Sequence, residues 1–320
     1  MDDGLRARFV REGRLSARVA HPHVVQVLDV GASGELPYLV MEYLEGEDIK
    51  ALLSREGRLA VERALDLLLP VIAGVAEAHR EGIVHRDLKP ANIFLHRSRD
   101  GLVVPKVLDF GIARMLDAPE AELTQTKFAM GTVGYMSPEQ VQSARRVDAA
   151  SDQYALGAVL YHCLTGRKPF AGELNYELMT AVIGGDFPTP RALAPEVPES
   201  VEHVVLRAMR TAPAGRFGSV VELGRARLPF ASPMTRSRWA PVFDALGEES
   251  GGTAPAPPSN AASVAAPVRP APTITAASSA DPADGPAVRR RQGRSSHRSR
   301  RGPTPSGTTA SGTNAMPIIE

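Results

Sequence analysis

The chain has 320 residues, with 37 lysines and arginines against 36 aspartates and glutamates, and 43% of it is apolar. Those proportions belong to a soluble globular protein, and the single cysteine, Cys163, excludes an intrachain disulfide framework. No run reaches the roughly 18 apolar residues of a membrane span, and Met1-Asp2-Asp3-Gly4 lacks a signal peptide's basic and apolar stretches, so a cytoplasmic location is expected.

Arg6 to Val19 has helical character, with Phe9, Leu15 and Val19 set among Arg, Glu and Ala. It stops at His21-Pro22, where proline blocks continuation. Val24 to Val30 is β-branched, Gly31-Ala32-Ser33-Gly34 reads as a turn, and Tyr38 to Tyr43 resumes as strand, so a hairpin is predicted. A long apolar helix is predicted from Val61 to Arg80, ending around Gly82. Short strands are expected at 93–96 and 106–108, inside a loop-rich stretch that runs to Gly134. Beyond Pro138 the chain reads as helical, most clearly over 151–164 and 200–210.

Around Leu246 the composition shifts to Ala, Pro, Ser, Thr and Gly without aromatics. Such a segment cannot offset its chain entropy by burial, and residues 251–320 are expected to be disordered. Eight arginines against three carboxylates make this tail net positive by five, leaving the first 250 residues net negative by four. The cluster from Arg289 to Arg301 has no aromatic interleaving, so it reads as a solvated linker. No specific nucleic-acid partner is expected, and contact with an anionic membrane is the weaker reading of the cluster. The predicted organisation is 1–45, a helix, hairpin and hinge; 46–230, a mostly helical body; 231–250, an extension; and 251–320, the tail.

Transfer of a phosphoryl group needs a carboxylate beside the attacking hydroxyl, a cation on the transferred group and oxygen ligands for magnesium. His85-Arg86-Asp87-Leu88-Lys89-Pro90-Ala91-Asn92 holds all three within eight residues. Singly these residues would read as a polar turn. As a string they resemble the catalytic loop of protein kinases at every characteristic position. The resemblance implies that Asp87 accepts or orients the hydroxyl proton, Lys89 contacts the γ-phosphate of ATP, and Asn92 binds Mg²⁺. Asp109-Phe110-Gly111 follows the strand-like Lys106-Val107-Leu108 and resembles the kinase magnesium motif. Asp109 would bridge metal and phosphates, and Phe110 would pack under the first helix.

Gly131 to Glu139 resembles the end of a kinase activation segment, with Ser137 where alanine is commoner. The likeness implies a buried ion pair between Glu139 and Arg216, each too costly to bury alone. Asp152 matches the aspartate that holds the catalytic-loop backbone, with a helix N-cap as the alternative. Lys89 and Thr132 imply serine/threonine specificity. Thr124 and Thr126 are expected phosphorylation sites, with Arg86 as the receiving cation. Tyr38 to Leu44 resembles the strand and hinge that receive adenine. Met41 would be the gatekeeper, the backbone of Glu42 and Leu44 would pair with the base, and Asp48 would contact ribose or cap the next helix.

Glu12 matches the helix glutamate that pairs with a kinase's ATP-anchoring lysine. That lysine and the glycine-rich loop precede the helix in the family, whereas the first lysine here is Lys50. The chain is therefore expected to be an incomplete bacterial, eukaryotic-like serine/threonine kinase with ATP and Mg²⁺ as cofactors and proteins as substrates. A non-catalytic, pseudokinase-like scaffold is the alternative. The implied fold is α+β and two-lobed: a partial small lobe, a mostly helical large lobe and the disordered tail.

Overall fold

The computed structural model describes residues 3–34, 36–110, 133–143, 147–172 and 175–250. Helix α1 (Asp3–Ser16) lies on a hairpin of β1 (Val27–Ser33) and β2 (Leu36–Met41). A β-carbon on Gly13 would come within 2.8 Å of Val30 Cγ1, so the bare glycine permits this close packing. The antiparallel register runs from Val27 opposite Met41 to Ser33 opposite Leu36, with a bulge between Val27 and Asp29. The strand thus continues through Gly31, Ala32 and Ser33, where the sequence suggests a turn. Pairing with Tyr38, Pro37 and Leu36 keeps those residues extended.

A second sheet has the order β3 (Gly46–Asp48), β4 (Ile93–Arg97), β5 (Val103–Val107), all antiparallel. The short β3 carries no period-2 apolar signal. It forms because Gly46, at φ 143°, lets the backbone approach Leu95, whose carbonyl oxygen would sit 2.1 Å from a β-carbon there. Strand β5 begins ahead of 106 because Pro105 lies on the sheet edge, where a missing N–H is tolerated.

The large lobe is built from α2 (Ile49–Glu56), α3 (Val61–Arg80), α4 (Pro138–Gln142), α5 (Ala149–Thr165), α6 (Asn175–Gly184), α7 (Pro190–Leu193), α8 (Glu199–Ala208), α9 (Val220–Arg227) and α10 (Pro233–Ser250). Its centre is α3 against α5, where Leu65, Leu68, Leu69, Ile72, Leu156 and Leu160 are fully buried. Helix α10 forms the segment expected as an extension after residue 230. Trp239, Phe243 and Leu246, spaced for one helical face, are buried, and the helix packs on α3 and α9. Among the described residues no helix is long and apolar enough to cross a membrane. The basic tail lies outside the described residues.

Candidate active site

Strands β4 and β5 assemble the centre by register. Ile93 stands opposite Val107, and just beyond that pair the Leu108 N–H donates to the Asn92 carbonyl at 2.9 Å. This sets Asp109 beside Asn92. The Asn92 amide nitrogen in turn donates to the Asp87 carbonyl (2.8 Å) and to Asp87 Oδ2 (3.0 Å). Both partners are acceptors, so the amide nitrogen is identified and the amide oxygen faces away from Asp87. Lys89 Nζ donates to the same Asp87 oxygen at 2.6 Å. Arg86, at φ 69°, and Asp109, at φ 46°, have left-handed backbone. For non-glycine residues such conformations cost about 1–3 kcal/mol and persist where surroundings impose them.

Asp152 imposes much of that shape. It is fully buried, and its carboxylate accepts from the His85 N–H (2.8 Å), the Arg86 N–H (2.9 Å) and His79 Nε2 (2.7 Å). Burial alone would raise its pKa, but the His79 hydrogen bond and charge outweigh this and hold it below the usual carboxylate range. The N-cap alternative for Asp152 is replaced: Asp148 caps α5, accepting from the Ala150 N–H at 2.9 Å.

His85, absent from the candidate residues, locks the loop from beneath. Its Nδ1 accepts from the Asp87 N–H (3.2 Å) and its Nε2 donates to the Leu108 carbonyl (2.8 Å). One nitrogen accepts and one donates, so the ring is neutral, in accord with a pKa lowered chiefly by burial. Its ring lies 4.8 Å from that of Phe110. The Phe110 carbonyl accepts from Ser16 Oγ at 3.3 Å, which ties this motif to α1. Gln140 adds a donor to the Arg86 carbonyl at 2.8 Å. The initial His in the loop string was the sequence signal for this role, but its tautomer depends on folded partners.

Glu139 and Arg216 form a bidentate pair at 2.7 and 2.8 Å. The remaining guanidinium hydrogens go to the carbonyls of Ala150, Thr211 and Arg210, so all five donors are used. Burial pushes the Glu139 carboxyl up, and Arg216 together with Ser151 brings it below its ordinary value.

At the hinge, Met41 lines a small gap with Ser16, Leu39, Asp109 and Phe110. The Glu42 carboxylate is occupied by Lys106 Nζ (2.7 Å) and the Gln26 N–H (2.8 Å). Among the described residues nothing pairs with the backbone N–H or C=O of Leu44. Asp48 caps α2 through the Ala51 N–H at 2.7 Å. Glu12 meets Arg11 at 3.5 Å. Thr124, Thr126 and Thr132 lie outside the described residues.

The protein kinase domain family matches residues 1–220, and the chain belongs to it. A probable serine/threonine-protein kinase of Corynebacterium efficiens is 38% identical over 231 residues, covering 69% of this chain and 34% of its own length. The serine/threonine-protein kinase PrkC of Bacillus subtilis is 36% identical, with coverages of 68% and 32%. The serine/threonine-protein kinase pkn3 of Myxococcus xanthus is 36% identical, with coverages of 84% and 49%. The chain therefore spans about a third to a half of the length of these curated relatives. The crystal structure of Rad53 1–466 in complex with AMP-PNP shares the fold, with a TM-score of 0.56 at 24% identity over 68% of this chain and 53% of that one.

Proposed function

We propose that the chain is a protein serine/threonine kinase of the cytoplasm, transferring the γ-phosphate of ATP to hydroxyls of protein substrates with Mg²⁺. The observation that carries this reading is the Asp87 carboxylate held by Lys89 Nζ and the Asn92 amide, with Asn92 tied to the strand end bearing Asp109.

The donor set fits the metal. The Asn92 amide nitrogen is committed to Asp87, leaving its oxygen available, and Asp109 adds a carboxylate. Oxygen ligands of this kind suit Mg²⁺, which commonly keeps waters and substrate phosphates for its remaining positions. When bound, the metal neutralises and orients the phosphates. Asp87 would orient the acceptor hydroxyl and receive its proton, while Lys89 would present its ammonium to the transferred group. The Leu44 backbone offers a donor and an acceptor to a purine edge, with the Glu42 carbonyl as a further acceptor. Met41 would bound the base and Asp48 would contact the ribose. Thr132 would face the substrate, and Arg86 would receive a phosphate on Thr124 or Thr126. Glu12 and Phe110 would set the position of α1.

The test incubates the full chain with radiolabelled ATP, Mg²⁺ and a generic protein substrate. Among the described residues the Glu12 carboxylate meets Arg11 and no lysine, so a bare rate is a weak readout. The informative readout is thus dependence on particular residues. Asp87→Asn should lower transfer by about 10²–10⁴-fold, without rescue by extra Mg²⁺. Asp109→Asn should be partly rescued by Mg²⁺. Label transfer indifferent to Asp87 would overturn the kinase reading, and nucleotide-independent partner binding alone would favour the scaffold.

A further inference from the structure

Beside the catalytic loop lies a cavity of about 420 Å³, within the usual size for a ligand site. Its lining includes Lys50 from α2, Lys89 from the catalytic loop and Lys168 from the segment after α5, along with Leu53, Tyr135 and His162. Lys89 also reaches Asp87 Oδ2 at 2.6 Å. A side chain filling this space would therefore belong to a residue near the one whose hydroxyl meets Asp87.

Three lysines from separate elements line the cavity, Lys89 among them paired with Asp87, and among the described lining residues there is no carboxylate. The Lys168 pKa is lowered, first by burial and then by Lys50, so these lysines feel each other's charge. Lys168 Nζ also lies 5.9 Å from the centroid of the Tyr135 ring. His162 adds no charge at neutral pH: burial and Lys168 bring its pKa to about 4. Its Nδ1 is hydrogen-bonded to the Tyr135 hydroxyl at 2.6 Å. The cavity thus combines an apolar floor with lysines from three elements, which is the chemistry that receives an anion.

We propose that this cavity is a substrate subsite for an anionic side chain, a Glu, an Asp or a phosphorylated residue, flanking the acceptor Ser or Thr. The proposal rests on the kinase reading given above and adds its substrate class, acidic peptides.

The test uses peptides with one serine in a neutral background, flanked on either side by three Glu, three Lys, three Ala or one phosphoserine. Two quantities are measured with the full chain: kcat/KM with Mg²⁺ and ATP, and binding of fluorescent peptides without nucleotide. The Glu peptide should exceed the Ala peptide roughly tenfold from one flank, a gap that narrows with salt. The Lys peptide should fall below both. Lys50→Ala/Lys168→Ala should abolish the preference and Lys50→Glu/Lys168→Glu should reverse it, with the Ala peptide turned over as before. A phosphoserine peptide ahead of Glu marks a phosphate-primed substrate, the reverse order marks carboxylates, and both support the site. Equal values for the Glu, Ala and Lys peptides, or a preference unchanged in the double variants, overturn it. If no peptide is phosphorylated, the kinase reading fails. Binding then decides the subsite: tighter capture of the Glu peptide by the wild type than by the Glu variant supports it, and equal capture removes it.

Discussion

In α3 the side chains of Leu65, Leu68, Leu69 and Ile72 are removed from solvent, whereas Leu28, Leu36, Tyr38, Val40 and Met41 of the β1–β2 hairpin are exposed. The helical body spends its apolar residues on its own core. The hairpin rests on α1 through one side and leaves much of its apolar surface outside. The candidate active-site residues divide along the same line. Asp87, Lys89 and Asn92 are held by Asp152, His85 and Gln140, all within the body. Met41, Glu42 and Leu44 depend on the hairpin and on the strand contact from the Val25 N–H to the Val107 carbonyl at 2.9 Å. The loop that carries Asp87 and the segment that carries Met41 therefore have separate mechanical supports, and substitutions in the two should differ in cost.

The largest expected effect lies at the buried ion pair. Arg216→Ala leaves Glu139 charged and unpaired and also orphans three carbonyls, so it should cost about 3–5 kcal/mol. Denaturant unfolding measures this, and a loss below about 1 kcal/mol would break the claim that the body supports the site. Asp152→Ala should come next. It removes the acceptor for two backbone N–H groups and His79, with an expected total cost of about 1–3 kcal/mol as the loop relaxes toward other partners. The Arg86 and Asp87 backbone should then relax, so transfer activity should fall even where the protein remains folded. Asp87→Asn, by contrast, should spare the melting temperature. Retained activity in Asp152→Ala would separate loop shape from catalysis.

Acid sharpens the comparison through groups of both regions. His162 lies in α5, while His23 precedes β1, donates through Nδ1 to the Pro105 carbonyl at 2.7 Å and meets the Trp239 ring at 5.2 Å. Burial, the first cause in each, lowers both pKa values from 6.5 to about 4. The unfolded chain then takes up protons from about pH 6.5 downward while the folded chain resists until about 4. Stability should fall with pH across that window. Glu139 and Asp152 act lower: their depressed pKa values give stability that is present above the ordinary carboxylate range and lost as pH falls below it. Urea midpoints at pH 7, 5.5 and 4.5 test the first window, and His23→Gln with His162→Gln should make it shallower, the buried His85 keeping its own share. An unchanged slope would reassign the acid sensitivity to other groups.

What the sequence disclosed follows how local each feature is. The loop string, the magnesium motif and the long helix 61–80 are contiguous, so residue order reveals them. The Glu139–Arg216 pair crosses 77 positions and was accessible only through resemblance. Features defined by approach were not legible. Strand β3 has three residues and depends on Gly46 meeting Leu95. The burial of α10 depends on the surface offered by α3 and α9. His79 joins Asp152 from 73 positions away, and the cationic cavity draws Lys50, Lys89 and Lys168 from three elements. Nothing in the local pattern around any of these lysines distinguishes it from a solvated charge.

The smallest expected effect lies on the hairpin, and it is the most exacting test of the comparison. Leu36 is 74% exposed and sits opposite Ser33 at the end of the β1–β2 ladder. Leu36→Thr removes apolar surface that is already largely in water, so little transfer energy is lost. Threonine suits an extended backbone, and it retains the N–H and C=O that the ladder uses. The net change in stability should stay within about 0.5 kcal/mol, against the several expected at Arg216. The variant should nonetheless differ from wild type in solution, because Leu36 contributes to an apolar surface with Leu28 and Val40 and exposed patches promote association. Sedimentation at rising protein concentration should show less self-association for Leu36→Thr at an unchanged melting temperature. A loss of stability comparable to that of Arg216→Ala would show that the hairpin is a structural support of the body, and the division between the two regions would fail.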